Sequence, residues 1–242
     1  MNKYYNELFL GKPIFYQNLI FYPVTIDEIT NITDLETFRT LMFPFMITTE
    51  YLISEKIILE KDYKNFNIFE DYIVKDNDSL QKIAFILEIF CRTSKISTLN
   101  NKILLYNSEN MFFEITKDNF EDISDILRKL VCVKKIKAET PPPNMSQRQK
   151  DIWEKLQAGR KRESSRNEIH IYDIMNMCSY CGNYYISSSE LKKMTIWQLM
   201  NCYNSKTNIK SYDDNLMIGL ASKDLKPILN NNHWSKKLLI RD

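Results

Sequence analysis

The chain has 242 residues, a length typical of one large domain or two small ones. Its hydrophobic content of 44% and charged content of 26% exclude a disordered or fibrous protein. The 33 basic and 31 acidic side chains leave a net charge of only +2, so the overall field selects for neither nucleic acid nor a membrane surface.

The first elements are predicted from the β-rich run 13–22, which fits either one long strand or a hairpin that turns at Gln17-Asn18. Pro23 ends this run. Thr25-Ile-Asp-Glu28 then has the Thr-x-x-Glu pattern of a capping box, in which two side chains satisfy exposed amides of a new helix. We therefore predict strand structure followed directly by a helix.

Apolar residues at helical spacing predict three further helices in the first half of the chain. These helices lie near 33–46, 79–93 and 117–131. Two short apolar runs, 102–106 and 111–115, flank the turn-forming residues 107–110, and this arrangement predicts a hairpin. The first half therefore reads as a mixed α/β domain with β-hairpins.

Three consecutive prolines, Pro141–Pro143, interrupt the sequence. Because proline favours extended backbone and lacks an N–H, these residues predict a stiff linker. Residues 1–144 carry 17 basic and 21 acidic side chains, a net charge of −4, whereas residues 145–242 carry 16 and 10, a net charge of +6. We predict an α+β domain over residues 1–138, a Pro-rich linker over 139–144 and a helical domain over 145–242, with few contacts between the domains.

The predicted C-terminal domain is all-helical. Ser146 is placed to cap its first helix, and a second helix fits residues 164–181, with Gly182 where a helix commonly ends. Two further capping boxes follow, Ser187-Ser-Ser-Glu190 and Thr195-Ile-Trp-Gln198, and each predicts a helix start.

Cysteine use gives one metal-like motif. The cysteines lie at positions 91, 132, 178, 181 and 202, an odd and irregular set that argues against a disulfide framework. Cys178-Ser-Tyr-Cys181 has metal-site spacing, but zinc would need two more ligands from Cys202, His170 or His233. Positions i and i+3 also share a helix face, where cysteine packs well. We favour packing and predict no metal and no other cofactor.

No familiar catalytic or phosphate-binding motif is present in the sequence, and two histidines and four glycines leave little material for one. We therefore predict no catalytic residue, although a pair of carboxylates would leave no local signature. The most apolar run, residues 83–91, is much shorter than the ~20 residues of a membrane span. With no secretory signal at the start, we expect a reduced cytosolic compartment and no membrane.

Candidate partner-binding residues come from a basic segment and one tryptophan. The basic segment runs from Gln147 to Arg166 and favours a solvated helix face over contacts with a phosphate backbone. Trp197 fits a core position or an anchor for a partner. The candidates are Arg148, Lys150, Arg160, Lys161, Arg162 and Trp197.

Four stretches together resemble a phage family. They are Leu10-Gly-Lys-Pro13, Phe21-Tyr-Pro-Val-Thr-Ile-Asp-Glu-Ile29, Ile115-Thr-Lys-Asp-Asn-Phe120 and Met194-Thr-Ile-Trp-Gln-Leu199. The family comprises tail-region proteins of phages and prophages of low-GC Gram-positive bacteria, of the tail-assembly-chaperone type. The chain departs from this pattern in its Cys-x-x-Cys and in the polar segment 204–215, which we interpret as a loop.

The resemblance implies a protein without enzymatic activity. It implies an N-terminal α+β domain, a charged linker helix and a C-terminal helical unit, with binding to tape-measure or tail-tube subunits. The expected location is the host cytoplasm, with the virion as a second possibility, and the protein could form oligomers. The alternative function is a nucleic-acid-binding regulator that uses the basic C-terminal half, although nucleic acid is the less favoured partner.

Overall fold

The structure is a computed structural model that describes residues 3–58, 66–93, 95–107, 110–136, 138, 144–166, 169–180 and 185–222. These residues form ten α-helices and two small antiparallel sheets. Strands and helices mix in the N-terminal part, and every regular element described after residue 144 is a helix. The predicted α+β class is therefore confirmed.

The first sheet is a hairpin, the second of the two predicted alternatives. Strand β1 (Ile14–Tyr16) pairs antiparallel with β2 (Leu19–Phe21), and Gln17 in the turn has a φ of 51°, as a tight hairpin turn requires. Helix α1 (Tyr5–Leu10) precedes the hairpin and ends at Gly11, whose φ is 63°. Glycine adopts this left-handed conformation without a steric penalty.

Helix α2 (Ile26–Ile32) begins at the predicted capping box. The Glu28 amide donates to Thr25 Oγ1 at 3.2 Å, and the Thr25 amide donates to the Glu28 carboxylate at 2.8 Å. Helix α3 (Leu35–Leu41) is shorter than the predicted 33–46. Pro44 is the reason, because the residue before a proline avoids the α conformation, and a 3-10 turn replaces the last helical turn.

The described middle of the chain continues with two α-helices and two short helical turns between them. Helix α4 (Thr49–Ser54) is capped by the Thr48 side chain. A π-helical turn over Ile68–Tyr72 and a 3-10 turn over Ile73–Lys75 lead into α5 (Asn77–Cys91). Helix α5 confirms the helix predicted at 79–93, and its predicted apolar stripe is buried: Ile83, Ile86, Leu87 and Phe90.

The second sheet has three strands in the order β3-β4-β5. Strands β4 (Lys102–Asn107) and β5 (Asn110–Ile115) form the predicted second hairpin. Strand β3 (Lys95–Leu99) was not predicted. It is an edge strand with no fully buried residue, so its sequence lacks the apolar alternation that identifies a half-buried strand.

Helix α6 (Phe120–Leu130) confirms the helix predicted at 117–131 and lies at the centre of the N-terminal core. The Phe120 ring packs against the rings of Phe45 and Phe69, at centroid distances of 6.0 and 4.9 Å. The Arg128 side chain, only 8% exposed, donates to the Phe45 carbonyl at 2.7 Å and to Glu121 at 2.7 Å. The buried Arg128 guanidinium therefore joins α6 to the Phe43–Phe45 turn through its bond to the Phe45 carbonyl.

The described residues of the C-terminal part form four helices. They are α7 (Gln147–Arg166), α8 (Ile171–Tyr180), α9 (Ser188–Lys192) and α10 (Ile196–Ser222). The predicted starts after Ser146, Ser187 and Thr195 are confirmed. Helix α8 is shorter than the predicted 164–181, and Gly182 lies outside the described residues.

Helix α10 corrects one interpretation of the sequence. The polar segment 204–215, expected to be a loop, continues α10 without a break. Its mixed polar side chains provide no apolar stripe, but the segment also contains no proline or glycine to stop the helix. Among the described residues, no helix combines the length and apolar character that crossing a membrane requires.

The C-terminal helices pack directly against the N-terminal part along a seam formed by residues 4–26 and 194–199. The Ile26 amide donates to the Met194 carbonyl at 2.9 Å, and Thr25 and Thr195 form an antiparallel β-bridge. The Trp197 ring is 1% exposed and lies edge-on to the rings of Tyr5 and Phe9.

These contacts correct the expectation that few contacts join the two parts. Buried side chains from both sides of residues 139–144 belong to one continuous hydrophobic core, which includes Leu8, Phe21, Ile174 and Leu199. Pro141–Pro143 lie outside the described residues, so the predicted linker and the domain boundaries at 138 and 145 stay predictions. Charge and composition change along the chain, but burial does not follow that division.

Trp197→Ala is expected to lower the free energy of unfolding by about 3–5 kcal/mol, because a fully buried indole leaves a large cavity. Trp153→Ala on α7 is the matched control, because that ring is partly exposed and should cost much less. Urea unfolding followed by circular dichroism measures both variants. Equal losses for the two tryptophans would contradict the core position of Trp197.

Thr195→Ala is expected to lower the free energy of unfolding by about 1–2 kcal/mol through loss of the helix cap. The Gln198 amide donates to Thr195 Oγ1 at 3.2 Å, and alanine cannot accept this bond. Thr207→Ala, at an exposed position within the same helix, should be neutral or slightly stabilising, because alanine is the better helix former. A thermal melt that ranks the two variants the other way would contradict the cap.

Candidate functional site

The basic candidates from the sequence lie on α7. Arg148, Lys150, Arg160 and Arg162 are all exposed on this helix, and the Lys161 side chain lies outside the described part of the structure. Trp197 does not join them, because it is buried in the seam. Its proposed role as an exposed partner anchor is therefore wrong for this chain, and its role as a core residue is the correct alternative.

Helix α7 presents an uncovered apolar stripe that was not predicted from the sequence. Ile152 and Leu156 are 50% and 53% exposed, and the i, i+4 and i+7 spacing places Gly159 on the same side of the helix. A Cβ atom added at Gly159 would meet nothing within 4 Å. No other described part of the chain covers this position of the helix.

Basic residues flank the stripe in a regular pattern. Arg148, Lys155 and Arg162 are seven residues apart, which places them along one side of the stripe, and Arg160 follows Leu156 by one turn. Lys150 falls on the opposite face of the helix. The result, here called the α7 stripe, is Ile152, Leu156 and Gly159 bordered by Arg148, Lys155, Arg160 and Arg162. Heptad spacing of the basic residues was the available sequence signal.

A cleft of about 540 Å³ lies between α2, α5 and the end of β2. The Arg92 guanidinium stacks on the Tyr22 ring, 4.1 Å from its centroid. Glu28 and Glu88 also line the cleft, but the Glu28 carboxylate is already bonded to Thr25 as a helix cap. The cleft is open and offers no nucleophile beside a base, so its geometry does not assemble a catalytic pair.

A smaller cavity of about 100 Å³ lies at the junction of the two parts. Apolar side chains dominate its walls, among them Leu35, Ile174, Ile196 and Met200. At its edge, His170 Nδ1 lies 2.9 Å from Glu36. His170, a zinc-ligand candidate in the sequence, is therefore engaged in a different contact, and His233 lies outside the described residues.

The Cys-x-x-Cys motif gives an unexpected arrangement. Cys178 is fully buried on α8, and its side chain contacts the partly exposed Cys202 of α10. Lys206, one turn after Cys202, donates its ammonium to the Cys178 carbonyl. Cys181 lies outside the described residues. Within those residues, no group of three or more His, Cys, Asp or Glu side chains could hold a metal ion.

The thiols differ in their acidity. The pKa of Cys202 is lowered to about 7 overall: a hydrogen bond from the Cys178 thiol is the largest cause, partial burial opposes it, and the Lys206 ammonium lowers the pKa to a smaller extent. Burial raises the pKa of Cys132 to about 12 and that of Cys91 higher still. The Cys202 thiol is therefore deprotonated more readily than the thiols of Cys91 and Cys132.

Comparison with protein-family models, curated proteins and solved structures finds no match for the chain. The resemblance to tail-assembly chaperones therefore rests on the stretches quoted above. Three of these stretches meet in the seam: Gly11 lies against Gln198, and Thr25 pairs with Thr195. The fourth lies in the core through Ile115 and Phe120. The resemblance thus concerns residues that build the fold.

In the full chain carrying Cys181→Ser, we expect limiting iodoacetamide at pH 7 to alkylate Cys202 well before Cys91 and Cys132. The reason is its lower pKa, since the thiolate is the nucleophile. Peptide mass mapping at short times measures the order, and the same reaction in urea provides the control, in which the thiols should react at similar rates. Equal rates in the native protein would contradict this assignment.

Proposed function

We propose that this protein is a non-enzymatic phage tail-assembly protein that binds tape-measure or tail-tube subunits in the host cytoplasm. The observation that carries the proposal is the α7 stripe, an exposed apolar surface with basic borders on a helix of 20 residues. The family resemblance supplies the class of partner. The chemistry of the stripe supplies the mode of binding.

The α7 stripe suits a protein partner. An amphipathic helix commonly binds by placing apolar side chains at i and i+4 in a groove of its partner. Ile152 and Leu156 have this spacing, and Gly159 lets a partner approach the backbone closely. The flanking basic side chains match acidic residues at the border of such a groove and speed the encounter.

The same surface is less suited to nucleic acid. Phosphate contacts require basic groups, which α7 has, but exposed aliphatic side chains at its centre gain nothing from a charged backbone. Contacts with base edges would require polar or planar side chains at the centre of the face. A nucleic-acid-binding regulator therefore stays the second candidate, supported by the basic borders alone.

The absence of enzymatic activity is part of the proposal. It is supported by the open cleft between α2 and α5, where the capping role of Glu28 leaves its carboxylate engaged. A binding protein of this kind would act by covering apolar surfaces of partner subunits until they assemble.

The proposed contact can be tested by co-expressing the protein with the tape-measure and tail-tube proteins of the same genome. The double variant Ile152→Gln/Leu156→Gln should lose co-purification with the partner, because glutamine keeps helix propensity but removes the apolar contact. Leu220→Gln is the matched control, since Leu220 is equally exposed on α10. Retention of the partner by the double variant would contradict the proposal.

A titration with duplex DNA separates the two candidates. A regulator would bind DNA with an affinity that falls steeply as salt rises, and Arg148→Gln/Arg162→Gln would reduce this slope. For a tail-assembly protein we expect no such binding at physiological salt. Tight, salt-dependent binding together with no binding to either tail protein would favour the regulator.

A further inference from the structure

Two cysteine thiols from different helices meet where α8 packs against α10. Cys178 is 0% exposed, and its Sγ also lies 3.9 Å from the Leu199 carbonyl oxygen. Cys202 is three residues after Leu199 and four before Lys206, both of which contact Cys178, so the Cys202 side chain lies on the side of α10 that faces Cys178. The two sulfur atoms are therefore neighbours although their residues are distant in sequence.

The surroundings of the pair are suited to thiolate chemistry. Lys206 follows Cys202 by four residues, so its ammonium lies on the same side of α10, and it is held there by the Cys178 carbonyl. Lys206 also lines an open cleft of about 250 Å³, together with Tyr203, Lys210 and Asp214. The pair thus has one buried thiol, one partly exposed thiol, a fixed cation and solvent beside it.

From this geometry we infer that Cys178 and Cys202 are a redox-sensitive dithiol that hydrogen peroxide converts into a disulfide between α8 and α10. Cys202 is the thiol that peroxide attacks, because it is partly exposed and adjacent to the Lys206 cation. Cys178 is the resolving thiol, because it is buried and already in contact with the Cys202 sulfur. In a reducing cytoplasm such a bond forms transiently and is reversed by cellular thiols.

The oxidation of the two thiols by hydrogen peroxide proceeds in two steps. The Cys202 thiolate attacks one peroxide oxygen, an S–O bond forms and the O–O bond breaks, which gives a sulfenic acid and a hydroxide that takes up a proton to become water. The Cys178 sulfur then attacks the Cys202 sulfur, an S–S bond forms and the S–O bond breaks. The departing hydroxide takes the Cys178 proton and leaves as a second water. Two thiols lose two electrons, and peroxide gains them.

Other described cysteines do not share these features. Cys91 is buried on α5 and Cys132 follows α6, and for each the dominant effect on the pKa is burial, which raises it. No thiol or ammonium group lowers the pKa of either cysteine. They provide internal controls in the same chain.

The test treats the reduced full-length protein with a small excess of hydrogen peroxide, blocks remaining thiols with N-ethylmaleimide, and maps disulfides by mass spectrometry without reduction. Trypsin places Cys178 and Cys181 in the peptide 167–192 and Cys202 in the peptide 194–206. Chymotryptic cleavage after Tyr180 then separates Cys178 from Cys181. We expect one product, 2 Da lighter than the reduced chain, with Cys178 joined to Cys202 and with Cys91 and Cys132 blocked.

Variants make the result specific. Cys181→Ser and Cys132→Ser should form the same cross-link, Cys202→Ser should form none, and Lys206→Gln should slow its formation several-fold at pH 7 because it removes the charge and keeps a hydrogen-bond donor. If Cys178→Ser does not fold, the mapped wild-type product decides. A disulfide from Cys178 or Cys202 to Cys181, or oxidation of Cys202 without any cross-link, would overturn the inference.

Discussion

The packing of the C-terminal helices against the N-terminal part depends on the Gln198 side chain, which forms hydrogen bonds to both of them at once. Its Oε1 accepts the Thr195 amide at 3.0 Å, and its Nε2 donates to the Phe9 carbonyl at 3.0 Å. The first bond caps α10, and the second attaches the end of α1 to it. Gly11 follows at once, and a Cβ there would come within 3.4 Å of the same Nε2. The beginning of α10 is thereby fixed against the N-terminal part.

Several other features follow from the position of α10. Trp197 fills the seam beside Gln198, and Leu199 lies against α8, where its carbonyl oxygen approaches the Cys178 sulfur. The contact between Cys178 and Cys202 therefore belongs to the same short stretch of helix that closes the core. A covalent bond at this place would tie α8 more firmly to the helix that joins both parts of the chain.

Helix α7 differs from α10 because it does not bury its apolar side chains in the core. Its apolar residues Ile152 and Leu156 stay exposed, whereas those of α6 and the start of α10 are buried. Because a stable core is already complete without them, these side chains are free to contribute to binding rather than to folding. The proposed tail-assembly function thus uses a surface that the fold does not need, and the stretches that resemble the phage family build the fold itself.

The sequence by itself determined the features that depend on neighbours within four residues. The capping boxes at Thr25, Ser187 and Thr195 were predicted correctly for this reason, as were the apolar stripes of α5 and α6 and the second hairpin, whereas the first hairpin was one of two alternatives. Local rules did not predict edge strand β3. They also did not predict the continuation of α10 through 204–215, because a polar helix lacks a periodic signal.

Only the tertiary structure decided which side chains meet across long separations. The sequence favoured a core position for Trp197 over a partner anchor, and the placement of Tyr5 and Phe9 around the ring decided for the core. That the α7 stripe is uncovered became clear only from the structure, in which none of the described residues closes over Gly159. The Cys-x-x-Cys spacing drew attention to Cys178, but among the described residues the thiol that contacts it, that of Cys202, lies on another helix. Burial and pairing arise from packing between elements, which sequence spacing does not encode.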